Sequence, residues 1–241
     1  MRCRSVSFQS SMSRHREVTV PRIAEAREAA EPTSPSQKAR HRRILRAAAD
    51  LAAAKGLDEV QMHDVAKEAG VAIGTLYRYF PSKTYLFSAV MAEQIDLLDA
   101  RISPPRPGQA PEEAVYDVLV TATRQLFHRP TLAQALLQAQ NSAHAARVPE
   151  AARSDRTTQN LLLRALGASE PTAQDITAVW LVMQCWYGLL TSALNGRTSL
   201  PDAEADLRVA CRLLLAGRGS VRADAELPMT GNTPPAAELV G

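Results

Sequence analysis

From about residue 37 onward, apolar residues recur at spacings of three and four residues, and this periodicity restricts the fold more than any other feature. Such a spacing places apolar side chains on one face of an α-helix, which repeats every 3.6 residues. Alternation suited to strands is confined to short stretches such as residues 18–20. The sequence therefore predicts an all-α protein.

Prolines and glycines divide the periodic region into segments of helix length. We expect helices at 37–55, 62–69, 72–80, 83–101, 112–128, 131–146, 149–166, 172–195 and 202–216. Gly56, Gly70 and Pro81 are expected to end the first three, and Ser82 is a suitable N-cap for the fourth.

Charge is unevenly distributed along the 241 residues. Residues 1–83 contain 15 Lys and Arg against 9 Asp and Glu, whereas the remainder has a small acidic excess. A basic end suggests contact with a polyanion, although a solvated face with a loose tail explains the charge equally well. The three cysteines are odd in number and lack metal-ligand spacing, which favours a reducing cytoplasm over a disulfide framework.

Residues 60–83 combine two short predicted helices with a tight turn at Gly70, which is the spacing of a helix-turn-helix motif. If Leu76 and Phe80 face inward, the second helix turns its other face toward the major groove of DNA. The candidate DNA-contacting residues of this segment are Ala72, Gly74, Thr75, Tyr77, Arg78 and Tyr79.

Two further cations are candidate phosphate ligands. Lys83 lies in the first turn of the fourth helix, where the helix dipole disfavours a cation unless an external phosphate binds there. A solvated lysine is an equally good explanation. Arg43, with the basic residues before it, is expected to add phosphate or minor-groove contacts.

The segment resembles the N-terminal domain of TetR-family transcriptional regulators. The matching pieces are Asp64-Val65-Ala66, Ala69-Gly70-Val71, Gly74-Thr75-Leu76-Tyr77, Tyr79-Phe80 and Ser82-Lys83. The resemblance covers about residues 37–90 and implies a homodimer that binds a palindromic operator. Two positions depart from the family, because Gln61 and Ala72 stand where it usually has Thr or Ser as helix caps.

A narrower resemblance concerns VQM followed by VAIGTLYRYFPSK, together with a Trp in the penultimate helix. This combination is similar to actinobacterial repressors of sterol catabolism, which respond to sterol-derived coenzyme A thioesters. The resemblance implies a small apolar effector such as a steroid or a lipid-derived thioester.

The uncharged segment 176–196 is long enough to span a bilayer, but we favour a buried helix that serves both core and dimer. In the family's architecture this helix lines a ligand cavity and pairs with the last helix across the dimer. The large side chains of this region are candidate cavity residues, although each is individually more typical of core packing. They are Tyr116, Leu119, Phe127, Leu136, Gln140, Trp180, Met183, Trp186 and Tyr187.

Motifs of catalysis or metal binding are absent from the sequence: it has no Gly-rich phosphate loop, GxSxG, HExxH or CxxC. We therefore expect neither an enzyme nor a cofactor nor a metal. The expected organisation is a disordered basic arm at 1–36, a helix-turn-helix DNA-binding domain at 37–83, a helical ligand-binding and dimerisation domain at 84–217, and a disordered tail at 218–241.

The sequence favours a ligand-responsive, homodimeric and cytoplasmic repressor, associated with the nucleoid through its operator. The alternative is a DNA-binding activator or nucleoid-type protein without an inducer. A membrane-anchored receptor that uses residues 176–196 as its span is a rival from a different class.

Overall fold

The structure is a computed structural model that describes residues 29–216. Within this range it consists of nine α-helices and contains no strand, so the predicted all-α fold is confirmed. The helices are α1 (Pro35–Glu59), α2 (Met62–Glu68), α3 (Ile73–Tyr79), α4 (Lys83–Asp99), α5 (Pro111–Phe127), α6 (Pro130–Ala145), α7 (Pro149–Ala165), α8 (Ala173–Leu194) and α9 (Leu200–Leu215). The predicted tail, 218–241, and most of the predicted arm, 1–28, lie outside the described residues.

Short polar side chains start several of these helices. Ser34 accepts a hydrogen bond from the Gln37 backbone N–H, and the Gln37 side chain returns the contact to form a capping box. Thr172 and Asp175 form the same arrangement at α8. The prolines that separate the predicted helices lie in the first turn of the helix that begins after each break. A backbone N–H there has no partner within the helix, so its absence costs nothing. These prolines are Pro111, Pro130 and Pro149.

Two glycines shape the helix-turn-helix. Gly70 has a φ of 63° and follows α2 in a Schellman arrangement, in which its N–H bonds to Lys67 O and the Val71 N–H bonds to Ala66 O. Gly56 has a φ of 79° and kinks α1, which continues for one further short turn instead of ending there. The turn at Gly70 joins α2 to α3, and the two helices pack against each other.

The predicted arm begins to be ordered earlier than its expected boundary at residue 36. The Ala30 N–H donates to Arg78 O at 3.0 Å, and Ala30 packs against the core. Ser34 and Pro35 then start α1. Residues 29–36 therefore belong to the folded structure, which corrects the expectation of a disordered arm over that stretch.

Helices α1–α3, here called the head, share a core with part of α4–α9, here called the body. The head contributes Ile44, Val65, Leu76 and Phe80 to one buried cluster. The same cluster includes residues from α4 and four from α6, namely Leu132, Ala135, Leu136 and Ala139. A second cluster joins α5, α7, α8 and α9. Because α6 belongs to the head's core as well as to the body, the two parts are packed together.

Candidate functional site

The exposed face of α3 brings together most of the predicted DNA-contacting residues. Leu76 is fully buried and fixes the rotation of the helix. Tyr77 is 47% exposed, and Ala72, Gly74 and Arg78 are also exposed, whereas Thr75 is half-buried. Among the described residues, this side of α3 is left exposed, and an α-helix fits the major groove of DNA.

Gly74 lies inside α3 although the fold does not require a glycine there. A Cβ at this position would meet no atom of the described chain within 4 Å. Alanine would favour the helix by about 0.5–1 kcal/mol over glycine. The missing side chain therefore leaves space on the outer face for the close approach of another molecule. The neighbouring Ile73 is 40% exposed and adds an apolar side chain to this face, which the sequence pattern did not indicate.

Tyr79 lies in the core of the head, which corrects its expected place on the exposed face. It is 3% exposed, and its ring lies 5.7 Å from His41 and 6.4 Å from Phe80. Burial lowers the pKa of His41, which packs against both rings. Tyr79 follows Leu76 by three residues, so the two side chains share the inward face.

The N-termini of α2 and α3 lack side-chain caps, as the sequence predicts. Gln61 and Ala72 occupy the N-cap positions of α2 and α3, and neither provides a side-chain cap hydrogen bond. Asp64 in the first turn of α2 instead pairs with Lys55 of α1 at 2.9 Å. The hydrogen bond from Lys55 lowers the pKa of the Asp64 carboxyl.

Lys83 is engaged within the protein, which corrects its expected role as a phosphate ligand. Its Nζ donates to the backbone oxygens of Leu57 at 2.8 Å, Val60 at 3.0 Å and Asp58 at 3.3 Å. These carbonyls follow the kink at the end of α1, where a cation is favourable. Lys83 thus joins the start of α4 to the end of α1. Arg43, by contrast, is exposed on α1.

The body contains a cavity of about 350 Å³ between α4, α5, α6, α7 and α8. Its wall is mainly apolar, as is typical of small-molecule sites, and the volume lies at the lower end of their usual range. Seven of the nine candidate cavity residues lie in this wall. They are Leu119, Leu136, Gln140, Trp180, Met183, Trp186 and Tyr187.

Hydrogen bonds fix two of the aromatic side chains in the wall. Trp186 Nε1 donates to Thr123 Oγ1 at 2.8 Å, and that hydroxyl donates to Leu119 O at 2.8 Å. Tyr187 Oη donates to Leu137 O at 3.5 Å, and burial raises the pKa of its phenol. Both rings are therefore held by α5 and α6 while they line the cavity.

Tyr116 and Phe127 do not line the cavity, which corrects their assignment. Tyr116 packs under Arg208 of α9, whose guanidinium carbon lies 4.2 Å from the ring centroid. The cavity wall instead takes Leu119, Ala122 and their neighbours on α5. Tyr116 and Phe127 are eleven residues apart, close to three full turns, and so share a different stripe of that helix.

One end of the cavity is polar, which the sequence analysis missed except for Gln140. His144 and Ser154 line it, together with Asp155. His144 Nε2 lies 3.4 Å from Asp155 Oδ2. Burial raises the pKa of the Asp155 carboxyl, opposed by the nearby His144. The signal in the sequence is weak, because these residues come from α6 and α7 and only their packing brings them together.

The described residues also bear on metal binding and on a membrane span. Residues 29–216 contain no group of three or more His, Cys, Asp and Glu side chains arranged to hold a metal ion. Helix α8 has 22 residues and a mean hydropathy of 1.3, so its length and composition alone would allow it to cross a membrane. In the structure its buried residues Val179, Val182 and Met183 belong to the second core cluster.

Comparison with known proteins agrees with this architecture. Residues 44–90 match the family described as bacterial regulatory proteins, tetR family, and residues 108–214 match the tetracyclin repressor-like C-terminal domain. The chain belongs to the TetR family of transcriptional regulators, with a helix-turn-helix DNA-binding domain and a C-terminal ligand-binding domain.

Particular relatives are similar over most of the chain. The HTH-type transcriptional repressor KstR of Rhodococcus jostii (strain RHA1) is 36% identical over 190 residues, covering 79% of this chain and 89% of the relative. KstR of Mycobacterium tuberculosis (strain ATCC 25618 / H37Rv) is 30% identical over 188 residues, covering 78% and 86%. The crystal structure of a TetR transcriptional regulator from Rhodococcus sp. RHA1 is 53% identical, with a TM-score of 0.72, covering 77% of this chain and 99% of that one.

Replacement of Lys83 by Met should lower the free energy of unfolding by about 1–2 kcal/mol, because a charged donor to three carbonyls is lost. Urea unfolding measures this change. Lys67→Met, at an exposed lysine of α2, is the matched control and should stay within about 0.5 kcal/mol of the parent. An unchanged stability, with a salt dependence of DNA binding reduced by about one unit, would instead show that Lys83 contacts phosphate.

Proposed function

We propose that this protein is a transcriptional repressor that binds a palindromic operator as a homodimer and releases it when a small apolar effector enters the cavity. The observation that carries the proposal is the shared position of α6. Leu132 and Leu136 belong to the core of the head and also line the cavity. An occupant of the cavity therefore contacts the same side chains on which the head is packed.

The DNA-contacting face we propose is the outer side of α3. Tyr77 and Arg78 supply donors for phosphates or base edges, Thr75 adds a hydroxyl, and Gly74 allows close approach. Ala72 lies at the start of the same helix, and Arg43 adds an exposed cation on α1. The basic balance of residues 1–83 favours association with the phosphate backbone.

The homodimer we propose forms through α8 and α9, which pack against each other. These helices leave large apolar side chains exposed on the single chain: Ile176, Trp180, Leu181, Val209 and Leu213. Leu213 is 78% exposed, which is unfavourable in water unless another surface covers it. A second copy of the same helix pair would cover the patch by two-fold symmetry and place two heads on one side. The same pairing would cover the apolar side of α8, so the uncharged segment 176–196 is explained without a membrane span.

The effector we propose is a small apolar molecule such as a steroid or a lipid-derived thioester. The cavity wall is mainly apolar and includes Trp180, Met183 and Trp186. The similarity to KstR repressors over most of the chain supports this class. The cytoplasm is the compartment that fits an operator-binding regulator, and no catalytic role is proposed.

Release follows from a shift between two populations of the dimer. A ligand moves such an equilibrium only if it binds one state better than the other. Filling the space beside Leu132 and Leu136 would favour an α6 position that displaces α1, and with it the spacing of the two α3 helices. The ligand-filled state would then no longer match successive major grooves.

Replacement of Tyr77 by Ala should weaken binding to duplexes enriched from a random pool by about tenfold or more, since a good base or phosphate contact is lost. The unfolding midpoint should not change, because Tyr77 is exposed. Fluorescence anisotropy measures the binding, and Leu97→Ala, an exposed change on α4, is the control. Parental affinity in Tyr77→Ala would show that α3 does not meet the DNA as proposed.

Replacement of Leu213 by Glu should convert the dimer to a monomer, because a charge would lie in the centre of the paired apolar face. Sedimentation equilibrium at micromolar concentration gives the mass. Leu97→Glu places the same charge on an exposed leucine of α4 and should leave the dimer intact. If the Leu213 variant is still dimeric, the interface lies elsewhere. If the parent itself is found only in membrane fractions, the anchored receptor is the better explanation.

A further inference from the structure

The polar end of the cavity holds two buried oxygen atoms that have no hydrogen-bond partner. They are Gln140 Oε1 and Ser154 Oγ, on residues that are 7% and 2% exposed. Both residues line the cavity. The other partnerless buried side-chain atoms of residues 29–216 belong to residues outside the wall. Buried polar atoms are nearly always paired, so these two atoms are available to a polar group that enters the cavity.

The contacts of Gln140 indicate which atom of its amide is free. Its Nε2 donates to the backbone oxygen of Ala151 at 3.3 Å and also lies 3.3 Å from His144 Nε2, whereas Oε1 has no partner. Ala151 and Ser154 are three residues apart on α7 and therefore lie on one face. The free amide oxygen and the free hydroxyl thus belong to neighbouring positions in the wall.

The chemistry of these two atoms selects the group they can bind. An amide oxygen only accepts a hydrogen bond, whereas a serine hydroxyl can donate one. An alcohol satisfies both, because its O–H donates to Gln140 and its oxygen accepts from Ser154. The carbonyl of a ketone, an ester or a thioester only accepts and leaves Gln140 unpaired. A carboxylate would also lack the donor, and it would lie near the carboxyl of Asp155.

We propose that the effector is an apolar molecule that carries a hydroxyl group, held by Gln140 and Ser154 between α6 and α7. The inference rests on the proposed function of the cavity and specifies the class of molecule that fills it. The apolar body of the molecule lies toward Leu119, Met183 and Trp180. The hydroxyl lies beside the His144–Asp155 pair, whose side chains are 43% and 36% exposed.

The two tryptophans of the chain, Trp180 and Trp186, both line the cavity, so their fluorescence reports its occupancy directly. Three probes share one tetracyclic skeleton: 5α-androstan-3β-ol, 5α-androstan-3-one and 5α-androstane. They differ only in carrying a hydroxyl, a ketone or neither group. Dodecan-2-ol and dodecan-2-one provide the same comparison on a flexible chain. Titration of the full-length protein with each probe gives its dissociation constant.

The alcohol should bind about tenfold more tightly than the ketone of the same skeleton, since a site built to accept a hydrogen bond rejects a group that has none to donate. Ser154→Ala and Gln140→Leu should each reduce this preference toward one. Gln174→Leu makes the same change at an exposed glutamine of α8 outside the wall and should retain the tenfold preference. Circular dichroism melting checks that each variant is folded. If Gln140→Leu does not fold, Ser154→Ala still tests the site, because it is the smaller change.

The remaining outcomes separate this inference from the proposed function. If alcohol and ketone bind equally to the parent, or if the preference survives Ser154→Ala, the hydroxyl site is wrong while the apolar cavity stands. If no probe of either skeleton alters the tryptophan fluorescence or the melting temperature, both the hydroxyl site and the apolar effector are wrong.

Discussion

The packing of α1 on α6 is the interaction on which the rest of the structure depends. Four residues of α6 enter the core of the head, and polar contacts support them at both ends. Arg129 pairs with Asp50 at 2.8 Å, and Gln138 Nε2 donates to Asp58 Oδ1 at 3.0 Å. Helix α3 is short and packs on α1 and α2, so the position of α6 influences where α3 faces.

In the proposed function, the same helix would connect the ligand cavity to the head. Leu132 and Leu136 are shared between the head's core and the cavity wall, so no chain of intermediates is needed to connect the two. Close-packed cores accommodate a new occupant by moving elements more readily than by compressing. The head and the cavity therefore share side chains, whichever molecule fills the cavity.

Much of the fold follows from local signals in the sequence. Prolines, glycines and Ser or Thr caps locate the helices because they act within one turn of their own position. Contacts between distant segments leave no such signal. Lys83 binds carbonyls more than twenty residues earlier in the chain, and Ala30 bonds to Arg78. Neither pairing could be deduced from periodicity.

In the candidate sites, too, features set within one helix are predictable and features that depend on contacts between helices are not. The outer face of α3 is predictable because a buried Leu76 sets its rotation, and the three-residue spacing from Leu76 places Tyr79 on the inward face instead. On α5, size alone suggested Tyr116 and Phe127, although the helical stripe excludes both from the wall. The Gln140–Ser154 pair depends on the packing of two helices, which the sequence does not encode locally.

The central claim is that filling the cavity changes the spacing of the two heads. Spin labels on Glu68→Cys, an exposed position of α2, can measure that spacing by double electron–electron resonance after Cys3 and Cys185 are replaced by Ser. Cys211 can stay, because burial raises the pKa of its thiol to about 12 and keeps it unreactive. The account predicts one distance distribution for the dimer on its DNA and a clearly different one when a ligand that quenches Trp180 and Trp186 is bound. Identical distributions in the two states would contradict it.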